Sequence, residues 1–362
     1  MNKIKAFLAR KGVVCSFRQY GVDALGAMAQ GLFCTLLVGT ILNTLGQQLH
    51  IGFLTAPVVS VGTVSYTVGG LASAMVGPGI AVAIGTALHC PPLVLFSLIP
   101  VGFAANAMGG AGGPLAVYAV TIIAAELGKL VSKETRIDIL VTPCVTVIAG
   151  IAVAQLIAAP IGTAARAVGL AIMWATELQP FFMGVLVSAL IGIALTLPIS
   201  SAAICAAFGL TGLAGGAAVA GCCAQMVGFA VMSFKENRWG GLVAQGVGTS
   251  MLQMPNILKN PRIWIPPTLA SMITGPLATC VFKLQMNGSP VSSGMGTCGF
   301  VGQIGVYTGW VSDIAAGTKA AITPMDWIGL VLICFILPAV LTCLFGAICR
   351  RLGWIREGDL KL

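Results

Sequence analysis

The sequence predicts an all-α polytopic membrane protein with about ten transmembrane helices and two re-entrant hairpins. Of its 362 residues, 57% are hydrophobic and only 8% are charged, and the mean hydropathy is +0.99. A soluble domain is typically about one quarter charged, so the composition indicates an integral membrane protein. At roughly 20 residues for each crossing, the chain is long enough for about ten spans.

The positions of the basic residues predict the orientation. The net charge is +9, and Lys and Arg cluster at residues 3–18, 129–136, 235–238 and 350–351. By the positive-inside rule these clusters are cytoplasmic, which places both termini inside the plasma (inner) membrane. Residues 1–22 are typical of a basic amphipathic segment on an anionic leaflet. Charge confined to tails and short loops argues against a nucleic-acid partner.

Ten apolar stretches are predicted to cross the bilayer. They are residues 24–46, 55–76, 80–102, 113–128, 139–160, 181–198, 202–213, 215–233, 266–282 and 327–349. The third is expected to be irregular, because it is interrupted by His89, Pro91, Pro92 and Pro100, and proline removes a backbone donor. Residues 161–180 are expected to lie along the outer surface.

Two stretches are predicted to enter the membrane and return on the same side. Residues 241–257 have basic residues on both flanks, so they cannot cross if both flanks are cytoplasmic. Residues 285–310 carry no charge and seven glycines, which suits broken backbone around a small ligand. A long extracellular loop of small residues is the alternative for this second stretch.

The sequence carries no pattern typical of an enzyme, a metal site or a cofactor site. No carboxylate pair shares a span, no nucleophile–base pattern is readable, and no phosphate-binding P-loop is present. Seven of the twelve cysteines lie inside apolar runs and no CxxC pair occurs, so we expect packing residues. The chain is therefore predicted to have no catalytic residues and to need no cofactor.

The candidate solute-binding residues are neutral and polar. They are His89, Asn106, Gln253, Asn256, Asn287, Ser293, Thr297 and Gln303. The histidine and the amides lie at glycine- or proline-broken points, where they can exchange hydrogen bonds with hydroxyl groups. An uncharged site favours a small neutral polar solute such as a sugar. For each amide taken singly, hydrogen bonding between helices is the alternative.

Three motifs carry a resemblance to a known family. They are the run NGSPVSSGMGTCGFVGQIGVY, the break GGAGGP and the start PMDWIG of the last span. With the order of elements, they resemble the membrane (enzyme IIC) components of the sugar phosphotransferase system. More closely, they resemble the enzyme IIC-like group of perfringolysin-regulator proteins, over about residues 20–350.

The resemblance implies a homodimer. It also implies a scaffold and dimerisation half at residues 23–180, a substrate-holding half at 181–350 with the hairpins 241–257 and 285–310, and a cytoplasmic tail at 351–362. Separate cytoplasmic IIA- and IIB-like proteins would then be partners.

The chain departs from the glucose-type pattern in one respect. Those proteins carry a G-I-T-E-P stretch whose glutamate binds the sugar. The corresponding run here, from Gly296 to Phe300, has no acid, and Gln303 is the nearest polar substitute. Two functions remain open. One is a carrier for a small neutral polar solute; the other is a membrane sensor or regulator that signals to a cytoplasmic partner.

Overall fold

The computed structural model describes residues 7–8, 10–13 and 16–362, with every side chain among these except those of Gln48 and Ala207. The predicted amphipathic segment over residues 1–22 lies partly outside the described residues. The described chain is mainly helical and divides into two compact units, Met1–Ala164 and Ala165–Leu362.

The first unit contains eight α-helices and one small sheet within the described residues. They are α1 (Ala24–Leu32), α2 (Val38–Gln48), α3 (Gly52–Thr55), β1 (Val59–Val61), β2 (Val64–Tyr66), α4 (Val68–Ala74), α5 (Val76–Ala87), α6 (Pro92–Gly109), α7 (Gly113–Val131) and α8 (Asp138–Thr176), which continues into the second unit. π-Helical turns at Arg18–Asp23 and Phe33–Leu37 precede α1 and α2.

Glycine contacts let the helices of the first unit approach closely. A Cβ atom on Gly31 of α1 would lie 2.6 Å from the carbonyl oxygen of Gly79 in α5. One on Gly77 of α5 would lie 2.3 Å from the carbonyl oxygen of Gly102 in α6. Small residues at such crossings bring helix backbones together, which is typical of membrane bundles.

The predicted span over residues 55–76 is wrong. This range holds the antiparallel hairpin of β1 and β2, in which Val59 pairs with Tyr66 and Val61 with Val64. Valine and tyrosine here alternate with serine at the period of a strand, and Gly62 adopts φ +61° in the connecting turn. Average hydropathy counts the valines and misses their alternation.

The interruption expected at His89, Pro91 and Pro92 in the third predicted span is confirmed, whereas Pro100 lies inside α6 without ending it. Helix α5 ends at Ala87, His89 has φ +53°, and α6 begins at Pro92. Proline fits the first turn of a helix, where its missing N–H is not needed. Residues 80–102 are therefore parts of two helices.

The second unit is built from ten further helices. They are α9 (Pro180–Thr196), α10 (Ser201–Ala207), α11 (Gly212–Met232), α12 (Phe234–Val243), α13 (Met254–Lys259), α14 (Ile265–Pro276), α15 (Pro290–Ser293), α16 (Val301–Ala315), α17 (Pro324–Val331) and α18 (Leu337–Arg351). π-Helical turns at Ala244–Gly248, Leu277–Val281 and Leu332–Ile336 and 3₁₀ turns at Ser250–Gln253, Pro261–Trp264 and Cys298–Phe300 connect them.

Among the described residues, five helical stretches are long and apolar enough to cross a membrane. They are Arg18–Gln47, Pro92–Val131, Asp138–Thr176, Gly212–Met232 and Pro324–Arg351, and the pair Val68–Ala74 and Val76–Ala87, bent by 54°, makes a sixth. The second contains two helices, because α6 and α7 pack on each other across Gly110, which has φ +52°. The expected ten crossings are not reached by this count.

Helix α8 also differs from expectation. It runs for 39 residues through the segment 161–180, up to Thr176, where a separate surface-lying piece was predicted. Pro143 and Pro160 lie inside it without ending it. At 1.5 Å per residue, such a helix is about twice as long as the hydrocarbon core is thick.

Candidate functional site

Helix α11 is the buried centre of the second unit. Every residue from Gly215 to Met226 is buried, and α9, α14 and α18 pack around the helix. A Cβ atom on Gly221 would lie 1.9 Å from the carbonyl oxygen of Ser188 in α9. One on Gly216 would lie 1.8 Å from the carbonyl oxygen of Leu284. Glycine at these two positions therefore lets neighbouring backbone lie directly on α11.

We call residues 285–310 the second broken stretch. It starts beside α11, where Met286 and Gly212 exchange two backbone hydrogen bonds of 3.0 Å. The single turn of α15 follows, and α16 begins only after Gly296, Gly299 and Phe300 have taken φ values of +54°, +52° and +57°. Residues 292–298 are all buried. This backbone is broken and enclosed, unlike the exposed loop that was the alternative.

A polar pocket of about 480 Å³ opens at the start of this stretch. It is lined by Phe282, Lys283, Gln285, Asn287, Trp310, Asp313, Thr318, Lys319 and Asp326. The lining combines two lysines, two aspartates, two amides and two aromatic rings. We call this set the polar pocket.

Asn287 holds the wall of the polar pocket together. Its Nδ2 donates to Asp313 Oδ2 at 2.8 Å, and its Oδ1 accepts from the backbone N–H of Gly212 at 3.1 Å. On the opposite side, Lys319 forms an ion pair of 2.9 Å with Asp326 and lies 5.8 Å from the ring centroid of Trp310. With two lysines and two aspartates, the lining is close to neutral.

Three other predicted residues of the second broken stretch lie outside the polar pocket. The Ser293 hydroxyl donates to the carbonyl oxygen of Leu210 at 2.6 Å. The Thr297 hydroxyl lies 3.6 Å from the sulfur of Met226. Gln303 Nε2 donates to the sulfur of Cys223 at 3.2 Å.

The amide oxygen of Gln303 has no hydrogen-bond partner, although the residue is only 8% exposed. Buried polar atoms in folded proteins are nearly always paired, so each exception points to a water molecule, a ligand or strain. This oxygen is the one group of the second broken stretch that calls for an additional donor.

The remaining amides form a second polar region in the same unit. We call residues 241–257 the first broken stretch, and its side chains Gln245, Gln253 and Asn256 the amide cluster. Gln253 Nε2 donates to Gln245 Oε1 at 2.9 Å, and Asn256 Nδ2 donates to Gln253 Oε1 at 2.9 Å. Thr249, with φ −159° and ψ 143°, separates the two helical arms of the stretch.

His89 and Asn106 belong to the first unit. His89 is exposed at the break between α5 and α6. Asn106 is half-buried on α6, and a Cβ atom on Gly113 would lie 2.5 Å from its Oδ1 atom. The sequence predictions for these two residues stay predictions.

Sequence reasoning missed most of the polar pocket because it favours neutral side chains only. In the sequence, Asp313, Lys319 and Asp326 look like ordinary loop or span-end charges. A usable signal exists, since the uncharged second broken stretch is followed within three residues by Asp313. Gln245 was also missed, although it stands in the same glycine-rich run as Gln253.

Comparison with known proteins identifies the family. The family model described as "Phosphotransferase system, EIIC" matches residues 22–362, which is nearly the whole chain. The protein therefore belongs to the EIIC family of phosphotransferase-system membrane components, and it is a multi-pass membrane protein. No curated protein and no solved structure shows a match.

Proposed function

We propose that this protein carries a small neutral polar solute, such as a sugar, across the membrane as the EIIC component of a phosphotransferase system. The observation that carries the proposal is the polar pocket of about 480 Å³ beside the second broken stretch. Its size falls within the ordinary range for small-molecule sites.

The chemistry of the polar pocket suits a hydroxylated solute. The amides of Gln285 and Asn287 can donate hydrogen bonds to hydroxyl groups and accept them, and the carboxylate of Asp313 can accept them. The half-buried ring of Phe282 supplies apolar surface for the carbon skeleton. The two lysines and two aspartates give the lining no net charge. It therefore offers no excess of opposite charge to an ionised solute.

Asp313 takes on a particular role in this proposal. The run from Gly296 to Phe300 lacks the carboxylate that glucose-type relatives use for sugar binding, whereas Asp313 brings one to the polar pocket from α16. The phosphoryl group would come from separate cytoplasmic IIA- and IIB-like proteins. A homodimer with both termini cytoplasmic belongs to the same proposal. The sensor alternative has no observation in its favour within the described residues.

Binding to the purified protein tests the proposal directly. Neutral monosaccharides, disaccharides and polyols, together with the phosphate and amino derivatives of the same sugars, are screened by thermal shift. We expect at least one neutral solute to raise the melting temperature and its charged derivatives to bind more weakly. Preference for a charged derivative, or no response to any solute, would contradict the proposal.

Two variants then locate the site. Gln285→Ala removes an exposed lining amide, and Asn287→Leu removes a half-buried one. Losing a hydrogen bond costs on the order of 1 kcal/mol, so each should weaken binding roughly fivefold to tenfold. Gln179→Ala is the matched control, because Gln179 is exposed, belongs to the same unit and does not line the polar pocket. Equal binding by the wild type and these three variants would place the site elsewhere.

A further inference from the structure

Residues 354–362, which we call the tail segment, are held on the second unit through their main chain. Asn237 Nδ2 and Gln253 Nε2 both donate to the carbonyl oxygen of Leu360, at 2.7 and 2.9 Å. Asn256 Nδ2 donates to the carbonyl oxygen of Lys361 at 2.9 Å. In return, the N–H of Leu362 donates to Asn237 Oδ1 at 2.9 Å.

The rest of the tail segment is attached through its main chain and through Asp359, whose Oδ2 accepts from Asn260 Nδ2 at 2.8 Å. Asn260 Nδ2 donates to the carbonyl oxygen of Trp354 at 2.9 Å, and the N–H of Gly358 donates to Glu236 Oε1 at 3.3 Å. The side chains that hold the tail segment come from α12, the 3₁₀ turn Ser250–Gln253, α13 and the residue after α13. Together with the amide cluster they form what we call the amide groove.

Only two side chains of the tail segment are buried. Leu360 is 0% exposed and Ile355 is 2% exposed, whereas Leu362 is 48% exposed. The segment contains turns and no helix or strand. A short piece held by two apolar anchors and a few side-chain bonds is expected to open more readily than the packed helices beside it.

Apart from the carboxylate of Glu236, the amide groove is built from uncharged amide side chains whose donors need partners. Gln253 is 0% exposed, and one of its amide contacts is the carbonyl oxygen of Leu360. Lifting the tail segment would remove the Leu360 carbonyl oxygen from Asn237 and Gln253 and the Lys361 carbonyl oxygen from Asn256. Buried donors without acceptors are costly, so an open groove favours a replacement that offers the same carbonyl groups.

We propose that the amide groove is a binding site for a short polypeptide segment in a turn conformation, and that the tail segment is its detachable occupant within the chain. Because six of the bonds described reach main-chain atoms, the groove recognises the main chain of a turn, with a leucine-sized side chain in the place of Leu360. This is the general logic of peptide recognition in which main-chain bonds give affinity and pockets for side chains give specificity. The proposal does not depend on any solute.

Hydrogen exchange on the full-length protein tests the detachable occupant. Leu360→Ala removes the buried anchor and keeps every main-chain bond, while Leu362→Ala makes the same change at an exposed position. Loss of a buried leucine should speed exchange in the tail segment and in residues 241–257 by about 30-fold or more. Exchange in α11 and exchange throughout the Leu362→Ala protein should match the wild type.

A synthetic nine-residue peptide, WIREGDLKL, supplies the second arm. Added to the Leu360→Ala protein, it should restore slow exchange in residues 241–257, whereas a peptide with aspartate in place of its first leucine should not. Unchanged exchange in Leu360→Ala, or faster exchange across the whole second unit, would overturn the detachable occupant. Failure of the WIREGDLKL peptide to restore protection would overturn the groove as a polypeptide site.

Discussion

The two broken stretches of the second unit share a sequence signature and differ in how their polar groups are satisfied. In the first broken stretch, both ends of the Gln245 amide and both ends of the Gln253 amide have partners. In the second, Asn287 borders an open pocket and the oxygen of Gln303 has no partner. Glycine-broken backbone with amide side chains thus produces one closed polar network and one open site.

The difference arises from segments that are distant along the chain. The first broken stretch is completed by Ser233 and by the carbonyl groups of residues 360 and 361. The second is bordered by Lys319 and Asp326, which hydrogen-bond to each other and leave space in front of Asn287. An amide at a backbone break becomes structural or accessible according to what the rest of the chain brings to it.

The largest expected effect disrupts the second broken stretch and spares the first. In Gly216→Ala the new Cβ atom would lie 1.8 Å from the carbonyl oxygen of Leu284, so backbone must separate from α11. We expect a loss of about 3 kcal/mol or more in the free energy of unfolding, the upper end for overpacking. Thermal melting in detergent, with solute binding as a second readout, measures it.

Gly240→Ala is the control for this change. A Cβ atom on Gly240 would have no neighbouring atom within 4 Å, and this glycine lies next to the first broken stretch. Equal melting temperatures for Gly216→Ala and the wild type would show that the close contact between Leu284 and α11 is not required.

The next prediction compares a glutamine-to-leucine substitution in the first broken stretch with one in the second. Gln253→Leu removes the centre of the amide cluster and leaves Gln245 Oε1 and the Asn256 amide without this partner, so we expect a loss of about 2–3 kcal/mol. Gln303→Leu removes an oxygen that is already unpaired, so its stability should change by less than about 1 kcal/mol. Equal destabilisation of the two variants in thermal melts would contradict the contrast.

The sequence predicted the second unit well where helices are long and apolar. The predicted spans 215–233 and 327–349 correspond to α11 and to the run from α17 to α18. Proline and glycine also identified real breaks, at Pro91 and within the second broken stretch. These features follow from local chemistry, so a single sequence contains them.

Features that depend on distant partners were not predictable. The valines at 59, 61 and 64 look like a membrane span by hydropathy, and only their alternation with serine indicates a hairpin. Ser293 and Thr297 face Leu210 and Met226, which are more than 70 positions away along the chain. Asn287 was identified as a candidate site residue, whereas the aspartates and lysines beside it were not, because the contacts of Asp313 with Asn287 and of Lys319 with Asp326 cannot be read from the sequence.

A smaller effect concerns solute binding at Gln303. Its unpaired oxygen can accept a hydrogen bond from a solute hydroxyl, and that contact would be lost in Gln303→Leu. We expect roughly tenfold weaker binding, measured by titration calorimetry with the solute found in the thermal-shift screen. Leu332→Ala is the control, because Leu332 lies in the last span, outside both broken stretches. Wild-type affinity in Gln303→Leu would restrict the binding site to the polar pocket.

The smallest expected effect is a change with pH, which distinguishes contacts made by charged groups from contacts made by uncharged groups. A hydrogen bond from the Lys11 ammonium lowers the pKa of the exposed Glu134 carboxyl from its ordinary value of 4.5, with Arg10 adding to the effect. A lowered pKa means that this contact stabilises the fold above pH 4.5 and is lost as the pH falls below that value. The bonds from Asn237, Gln253 and Asn256 to the tail segment join uncharged groups, which do not titrate in this range.

Hydrogen exchange of residues 10–13 at pH 6 and pH 4, corrected for intrinsic rates, measures the loss. Glu134→Gln should show the faster exchange already at pH 6, and Glu177→Gln, which changes an acid outside this contact, should behave as the wild type. Identical exchange in Glu134→Gln and the wild type at pH 6 would show that the Glu134 contacts do not hold this segment.

The cysteines of the described residues differ in exposure, which has a practical consequence for labelling experiments. Cys34, Cys144, Cys280 and Cys343 are exposed in the structure, while Cys222, Cys223 and Cys298 are buried. Among the described residues, a thiol reagent would therefore first meet these four exposed cysteines, and they are the first to replace, together with Cys15 outside the described residues, before spin or fluorescent probes are introduced. The buried cysteines are better left in place. Removing the Cys223 sulfur would leave the whole amide of Gln303 without a partner and would alter the region under study.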